Sequence, residues 1–442
     1  MDFIVVGKGG REHALATLLA RRHVVGSFGG SDAIQRIAPP VEAGVAVDLE
    51  QELTAGGVQA LCAQPDAVVV FGPEQPMAAG WVDQIHQAAP AMRVLGPNQY
   101  AAQLESSKWW AKQFMQRHGV PTGAAERIRQ VGDFDRFALQ FEPPYVIKAD
   151  GLAAGKGVAI FKEGAEARGF VGGIVDGSLF GQPQTALIEE FLAGPELSVF
   201  LLLDGQRALQ LATARDYKRA YDGDQGPNTG GMGSYTPVPD VTAREQAQIQ
   251  QQIIQPILAG LRADNIFYRG YLYVGLIRTA AGFRVLEFNV RLGDPETQAV
   301  LPLVGEDLGA LCAAAADGRL TDLAGNECWE DAGPEFARWQ TGQAAVCVVL
   351  AAESYPASSS KGQRLDGLAA AEQALAPHEY LFHAGTRWAN TEWETNGGRV
   401  VNVVAVGGTV VAARQRVYDL VDRLGLTVLR HRRDIARVSD DA

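Results

Sequence analysis

The stretch VIKADGLAAGKG, residues 146–157, decides the fold. A short apolar run ends in Lys148, and Gly151, Gly155, Lys156 and Gly157 follow within nine residues. Glycine lets a backbone close around a ligand and lysine favours a negative one, so the stretch reads as a strand feeding a phosphate cover. It is not the common phosphate loop, which needs four residues between its glycines and a hydroxyl after its lysine. Here three residues separate Gly151 from Gly155, and Gly157 follows Lys156. The alternative is an ordinary flexible hairpin, and the rest of the chain has to decide between them.

Upstream, FIVVG, DAVVVFGPE (66–74) and MRVLGPN (92–98) are short apolar strands, with EHALATLLARR a helix between the first two. Strands alternating with helices imply right-handed βαβ units and a parallel sheet, whose ligands sit beyond the carboxyl ends of the strands. Three of those ends read GKGG, FGPE and LGPN. Residues 103–118 read as one amphipathic helix closed by Gly119. Short strands and glycine-rich turns fill 123–193, and the long strands SVFLLLD, GYLYVGLI and FRVLEFNVR follow. The polar segment 326–340 reads as a linker. Beyond it come strands AAVCVVLAA and RVVNVVAVG, a hairpin turn at Asn396-Gly397, and a last helix VAARQRVYDLVDRLG.

At 442 residues, two to four domains are expected. Hydrophobic residues make up 47% and charged ones 20%, as in a globular protein, and no apolar run approaches the length of a membrane span. A net charge of −12 disfavours a nucleic-acid partner but leaves room for a nucleotide, which needs only a few local cations. The start, MDFIVVGKGG, enters a strand without the regions of a signal peptide. Cys62, Cys312, Cys328 and Cys347 have neither metal-type nor disulfide-type spacing, so a cytoplasmic location is expected.

Four stretches carry chemistry. In VVGKGGREHALA, Gly7, Gly9 and Gly10 permit a tight turn into a helix whose free amides attract an anion; Arg11 adds charge and His13 a donor. The dinucleotide fingerprint fails there, because Glu12 stands at its third glycine. In VLEFNVRLGDPETQ (285–298), strand alternation puts Glu287, Asn289 and Arg291 on one face and Phe288 and Val290 on the other. Carboxylate and amide oxygens suit magnesium, and a guanidinium can grip a carboxylate in bidentate fashion. In ARDYKRAYDGDQGPNTGGMGSYTP (214–237), Asp216, Lys218 and Arg219 precede a glycine-rich run that reads as a mobile cover or a surface loop. In LIEEFLAGPELSVF (187–200), strand, turn and strand offer backbone edges to a base, with Glu196 facing ribose hydroxyls.

In order, GGREHALA (9–16), GPEQP (72–76), VIKADGLAAGKGV (146–158), IEEFL (188–192), GPNTGGMG (226–233), LEFNVRLGDPETQ (286–298), FHAGT (382–386) and TNGGRV (395–400) resemble the phosphoribosylamine–glycine ligases, ATP-grasp enzymes of purine biosynthesis. The resemblance runs nearly the whole length. It implies an α/β chain: a Rossmann-like parallel-sheet domain over 1–103, an ATP-grasp domain over 104–325 with a small lid lobe at 123–193, and a C-terminal α+β domain over 326–442. It implies ATP as co-substrate with Mg2+ or Mn2+, and glycine and 5-phosphoribosylamine as small-molecule substrates. A monomer is expected, with neither nucleic acid nor membrane as partner. Lys108, Lys148, Gly155, Lys156 and Gly157 would meet the phosphates, Glu189, Glu190, Phe191 and Leu192 would edge the adenine, and Glu196 would hold the ribose. Glu287 and Asn289 match the metal ligands. Arg291, Asp216, Lys218 and Asp294 fall to glycine and the transferred phosphoryl group, and Gly9, Gly10, Arg11, Glu12 and Lys361 to the phosphoribosyl part. The chain departs from the family pattern at Lys8, in SFGGSDAI (27–34), and at Pro195, Tyr217 and Val290.

Overall fold

The computed structural model describes residues 1–42, 47–51, 53–152, 157–333, 335–339 and 341–438. Phe3–Val6, Val25–Phe28, Val68–Phe71 and Arg93–Leu95 form a parallel sheet, in the spatial order second, first, third, fourth. The first three strands are buried along their whole length, as parallel strands covered on both faces must be. Alternation sends Ile4, Val6, Val69 and Phe71 into one large core with Trp81 and Ile85. Phe3, Val5, Val68 and Val70 enter a second core with Leu15, Leu18 and Leu311.

The helix Gly10–Leu19 is buried at every position but Thr17. It packs against the helix Glu296–Val304 and the strand Glu379–His383. Gly10 makes this approach possible: a Cβ there would stand 2.4 Å from Asn402 Nδ2 and 2.9 Å from Gln298 Nε2. Chain ends far apart in sequence are thereby joined around one helix start.

The central sheet has six strands, in the order Gly282–Asn289, Arg269–Thr279, Glu196–Asp204, Ala208–Gln210, Phe336–Trp339 and Trp329–Asp331. The last two come from the segment expected to be a linker; instead it supplies one edge of the sheet, Phe336–Trp339 running parallel to Ala208–Gln210. Above this sheet stands the lid, Ala125–Ile128, Ala186–Glu189, Tyr145–Ala149 and Val158–Phe161, all antiparallel. Its helices Val131–Phe137 and Gly164–Val175 close a small core of their own around Phe134, Ile147, Val171 and Ile188.

Besides a three-stranded sheet of Ser360–Arg364, Glu392–Gly397 and Thr386–Ala389, a further sheet joins Arg215–Asp216, Gly233–Thr236, Ala344–Ala352, Arg399–Gly407 and Glu379–His383. Its first two strands belong to the run expected to be a mobile cover or a surface loop. Between them Arg219–Tyr221 and Gln225–Asn228 make a two-stranded ribbon, held by Arg432, which is 1% exposed and bonded to Asp224 and to the Arg219 carbonyl. The Asn396-Gly397 pair is no hairpin turn. It ends the strand Glu392–Gly397, and Gly397 lies against Gly385 where a side chain would not fit. The helix Val410–Leu424 is capped by Thr409, which accepts from Ala412 N at 3.1 Å, and ends at Gly425 in the left-handed region. Among the described residues no single helix is long and apolar enough to cross a membrane.

Candidate functional site

A cleft of about 380 Å³ opens between the lid and the central sheet. In the lid strand Tyr145–Ala149, Ile147 and Ala149 turn into the lid core, so Lys148 turns the other way, into the cleft. Its Nζ lies 3.0 Å from Glu189 Oε2 and donates to the Leu286 carbonyl at 3.3 Å. Lys112 reaches the same carboxylate oxygen at 2.9 Å. Burial works against all three charges. The two lysines outweigh it and hold Glu189 below the usual carboxylate range, and the nearby Glu189 and Glu287 carry Lys148 above the usual lysine value. Burial prevails at Lys112 and lowers it. Lys108 donates to the Gly151 carbonyl at 2.9 Å, at the root of the glycine loop. Gly157 accepts from Ala149 N, while Gly155 and Lys156 lie outside the described residues.

Where the lid rejoins the body, Glu190 N donates to Ala124 O and the Glu190 carboxylate accepts from Ala124 N at 3.1 Å. Phe191 is exposed and Leu192 half-buried beside it on this connection. Glu196 is ion-paired with Lys218. The lysine stands well above its ordinary value because Asp216 and Glu196 overcome its burial.

On the strand Gly282–Asn289 the expected alternation is present: Phe288 and Val290 are buried, and Glu287 and Asn289 line the cleft. Neither of those two side chains has a hydrogen-bond or ion-pair partner among the described residues. The cations Lys218, Lys148, Lys108 and Arg291 outweigh burial and keep Glu287 ionised, below its usual value. Two hard oxygen donors left open beside lysines fit a divalent cation that fills its remaining positions with phosphate and water oxygens. Among the described residues no cluster of three His, Cys, Asp or Glu forms a self-sufficient metal cage. The donor set therefore fits a metal that arrives with a nucleotide.

The far end of the cleft is different. Arg291 donates from Nε to Glu74 and from Nη2 to Glu105, both at 2.9 Å, and from Nη1 to the Leu292 carbonyl. Burial pushes the Glu105 carboxyl up to about 7, against the pull of Arg291. Arg291 and Arg11 overcome burial at Glu74 and take it down to about 2. Arg11 also contacts Glu12 at 2.5 Å and the Leu292 carbonyl at 2.9 Å. Glu12 caps its own helix by accepting from Gly9 N at 2.6 Å. Asp294 accepts from Gln298 and pairs with Arg399 at 3.2 Å. Asp216 and Glu296 line the same end, each raised first by burial, Glu296 to about 8 with Asp216 adding to the effect.

Arg291, Asp216, Lys218, Asp294, Arg11, Lys108, Lys148, Gly157, Glu189, Glu287 and Asn289 are thus brought to one cleft. Gly10 is a packing contact, Glu12 is closed off as a cap, and Lys361 is exposed on the strand Ser360–Arg364, outside the cleft lining. His13 faces no ligand: it is buried and accepts from His383 N at 3.3 Å. Sequence reasoning missed Lys112, Glu74, Glu105, Glu296 and Arg399. Lys112 stands four residues after Lys108 on one helix, hence on the same face, which was a usable signal. Glu74, Glu296 and Arg399 lie inside GPEQP, GDPETQ and TNGGRV.

A lid sheet and a central sheet closing on lysines and an open pair of oxygen ligands define an ATP-grasp protein. The phosphoribosylglycinamide synthetase family matches in three parts: its N domain over residues 1–105, its ATP-grasp (A) domain over 106–297 and its C domain over 345–438. The chain is 39% identical to a phosphoribosylamine–glycine ligase of Phenylobacterium zucineum, with 96% of each chain covered. It is 41% identical to that of Leifsonia xyli, with 99% of each covered. The crystal structure of the phosphoribosylamine–glycine ligase from Thermotoga maritima superposes with a TM-score of 0.80 at 32% identity, covering 98% of this chain and 100% of that one. A biotin carboxylase domain of Hydrogenobacter thermophilus, solved with MgADP, shares the fold alone, with a TM-score of 0.70 at 15% identity over 97% of this chain and 91% of that one. The chain belongs to the phosphoribosylglycinamide synthetase family.

Proposed function

We infer that this chain joins glycine to 5-phosphoribosylamine with ATP, giving glycinamide ribonucleotide, ADP and phosphate, a step of purine biosynthesis. Glycine's carboxylate takes the γ-phosphoryl group of ATP to give glycyl phosphate. The amine of phosphoribosylamine then attacks the acyl carbon, a C–N bond forms as the C–O bond to phosphate breaks, and the proton leaves with the phosphate. No protein nucleophile is needed. The protein's work is placement, neutralisation of charge and exclusion of water from a hydrolysable intermediate.

In this reading Lys148 and Lys108 hold the phosphates from within the cleft, and Lys156, with Gly155 and Gly157, covers them. Adenine lies along Glu189–Leu192 and the ribose faces Glu196, which then exchanges its bond to Lys218 for the sugar hydroxyls. Glu287 and Asn289 would hold magnesium or manganese, whose charge offsets that building on the transferred group. Asp216 takes glycine's ammonium, and Arg291 with Asp294 aligns its carboxylate. The Gly9–Arg11 turn receives the phosphoribosyl group. A cytoplasmic setting suits four free cysteines. The division we propose is 1–103, 104–325 and 326–442, with the strands Trp329–Asp331 and Phe336–Trp339 of the last part joined to the central sheet.

The observation that carries the reading is the pair Glu287 and Asn289, open and side by side within a cleft that Lys148 and Lys108 also line. ADP formation, measured with each substrate omitted in turn, tests it. Release should need glycine and reach its full rate only with phosphoribosylamine; the same rate without glycine would reject the assignment.

A further inference from the structure

Among the described residues, Lys112 is the one lysine of the cleft lining that touches both connections between lid and body. It projects from the helix Lys108–Arg117 and is 2% exposed. Its Nζ donates to Thr122 Oγ1 at 2.9 Å and to the Gly123 carbonyl at 3.2 Å, where the chain enters the lid. It lies 2.9 Å from Glu189 Oε2, where the chain leaves. An ammonium has three hydrogens, and all three are used. Thr122 passes the contact on, donating to the Val285 carbonyl at 2.7 Å in the strand that carries Glu287. Lys148 differs: Glu189 and the Leu286 carbonyl take two of its hydrogens, and the third is left for the cleft.

We propose that Lys112 is a positioning residue for ATP, a fixed counter-cation that pins the lid hinge and keeps Glu189 paired when Lys148 turns its ammonium to a nucleotide phosphate. This rests on the reading of Lys148 as a phosphate contact. Were Lys148 the only partner of Glu189, which is 4% exposed, moving it would leave a carboxylate buried and unpaired. With Lys112 fixed on the same oxygen, Lys148 is released at little cost. The nucleotide then meets a free ammonium at the end of a lid whose two connections stay tied to the helix.

The test is steady-state ADP formation by the full chain with ATP varied. Lys112→Met should raise the KM for ATP about tenfold, since Lys148 stays bound to the carboxylate. The KM for glycine should hold, and kcat should fall far less than the KM for ATP rises. Adding Glu189→Gln to Lys112→Met removes the charge that detains Lys148 and should bring the KM for ATP back to within about threefold of wild type. A role in folding alone would shift the urea midpoint of Lys112→Met and leave the KM for ATP of the folded protein unchanged. An unchanged KM in Lys112→Met, or a double variant as impaired as the single one, would overturn the proposal. If Lys112→Met does not fold, Thr122→Val takes its place and should raise the KM for ATP about twofold; no rise counts against the pin. Lys148→Met is measured alongside. A wild-type KM for ATP there would sink the reading beneath and the proposal with it, whereas a raised KM there with no effect at Lys112 would sink the pin alone.

Discussion

The two ends of the cleft solve opposite electrostatic problems. At the lid end Lys112 and Lys148 share one buried carboxylate, Glu189, and Lys108 and Glu287 line the cleft with them, so net positive charge is held ready. At the far end each arginine is already matched, Arg291 by Glu74 and Glu105, Arg11 by Glu12 and Arg399 by Asp294, while Asp216 lies near Lys218 and burial raises Glu296 to about 8. The first end suits a polyanion. The second suits a zwitterion, whose ammonium meets the carboxyl groups of Asp216 and Glu296 and whose carboxylate has to share arginines that are already occupied. A cleft graded in this way would orient a polyanion and a zwitterion by charge before any shape is matched.

The sharpest way to break this contrast is to remove Glu287, the carboxylate that we propose holds a metal at the positive end. Glu287→Ala should lower kcat/KM by about a thousandfold, as loss of a metal ligand beside transferred phosphate implies, and raised divalent metal should recover part of it. Full activity at low metal would show that the carboxylate only balances lysines. At the other end, Arg291→Met strands two carboxylates 2.9 Å from where a guanidinium stood. Urea unfolding should report a loss of about 3 kcal/mol, since breaking one side of a buried charge cluster leaves the other uncompensated. A loss under about 1 kcal/mol would mean that water already reaches this end and that its charges are screened.

The same contrast explains what the sequence made legible. Lys148, Glu287 and Asn289 stood out because strand alternation and glycine punctuation are local signals: a neighbour two residues away fixes which way a side chain turns. Glu105 and Arg291 are 186 residues apart, and nothing local announces that they meet. Lys112 was within reach through its spacing from Lys108, yet a lysine on an amphipathic helix reads by default as solvated. The segment 326–340 looked like a linker because its strands Trp329–Asp331 and Phe336–Trp339 are only three and four residues long and are set among polar residues; the first is the exposed edge strand, and the second is largely buried beside it. The 103–118 helix is two, Gln103–Ser106 and Lys108–Arg117, because Ser107 leaves the helical conformation to cap the second.

Glu105 sharpens the comparison by its pH dependence. Its folded value of about 7 lies above the value near 4.3 expected of an unfolded glutamate. An acid raised in this way is better protonated in the native state, so it withdraws stability as pH climbs between the two values and recovers it on acidification. Glu105→Gln cannot ionise. Its stability relative to wild type should therefore improve by about 2 kcal/mol between pH 5 and pH 8, read from urea midpoints at both. A change of the opposite sign would mean that Arg291 holds Glu105 ionised and that both arms of the clamp are true counter-charges.

The smallest effect is expected where the sequence reading and the structure part. Lys361 was assigned to the phosphoribosyl group, but it is exposed on Ser360–Arg364 and outside the cleft lining, whereas Arg11 lines it with its guanidinium on the Leu292 carbonyl. A lone solvated lysine is screened beyond about 8 Å at physiological ionic strength, so Lys361→Ala should leave the KM for phosphoribosylamine within about twofold of wild type. Arg11→Ala should raise it well beyond that, because a buried cation near a phosphate is not screened. Equal effects from both would place the phosphoribosyl group on the C-terminal three-stranded sheet and shift the acceptor end of the cleft outward, away from the Arg291 clamp. The contrast between the two ends would then belong to glycine alone.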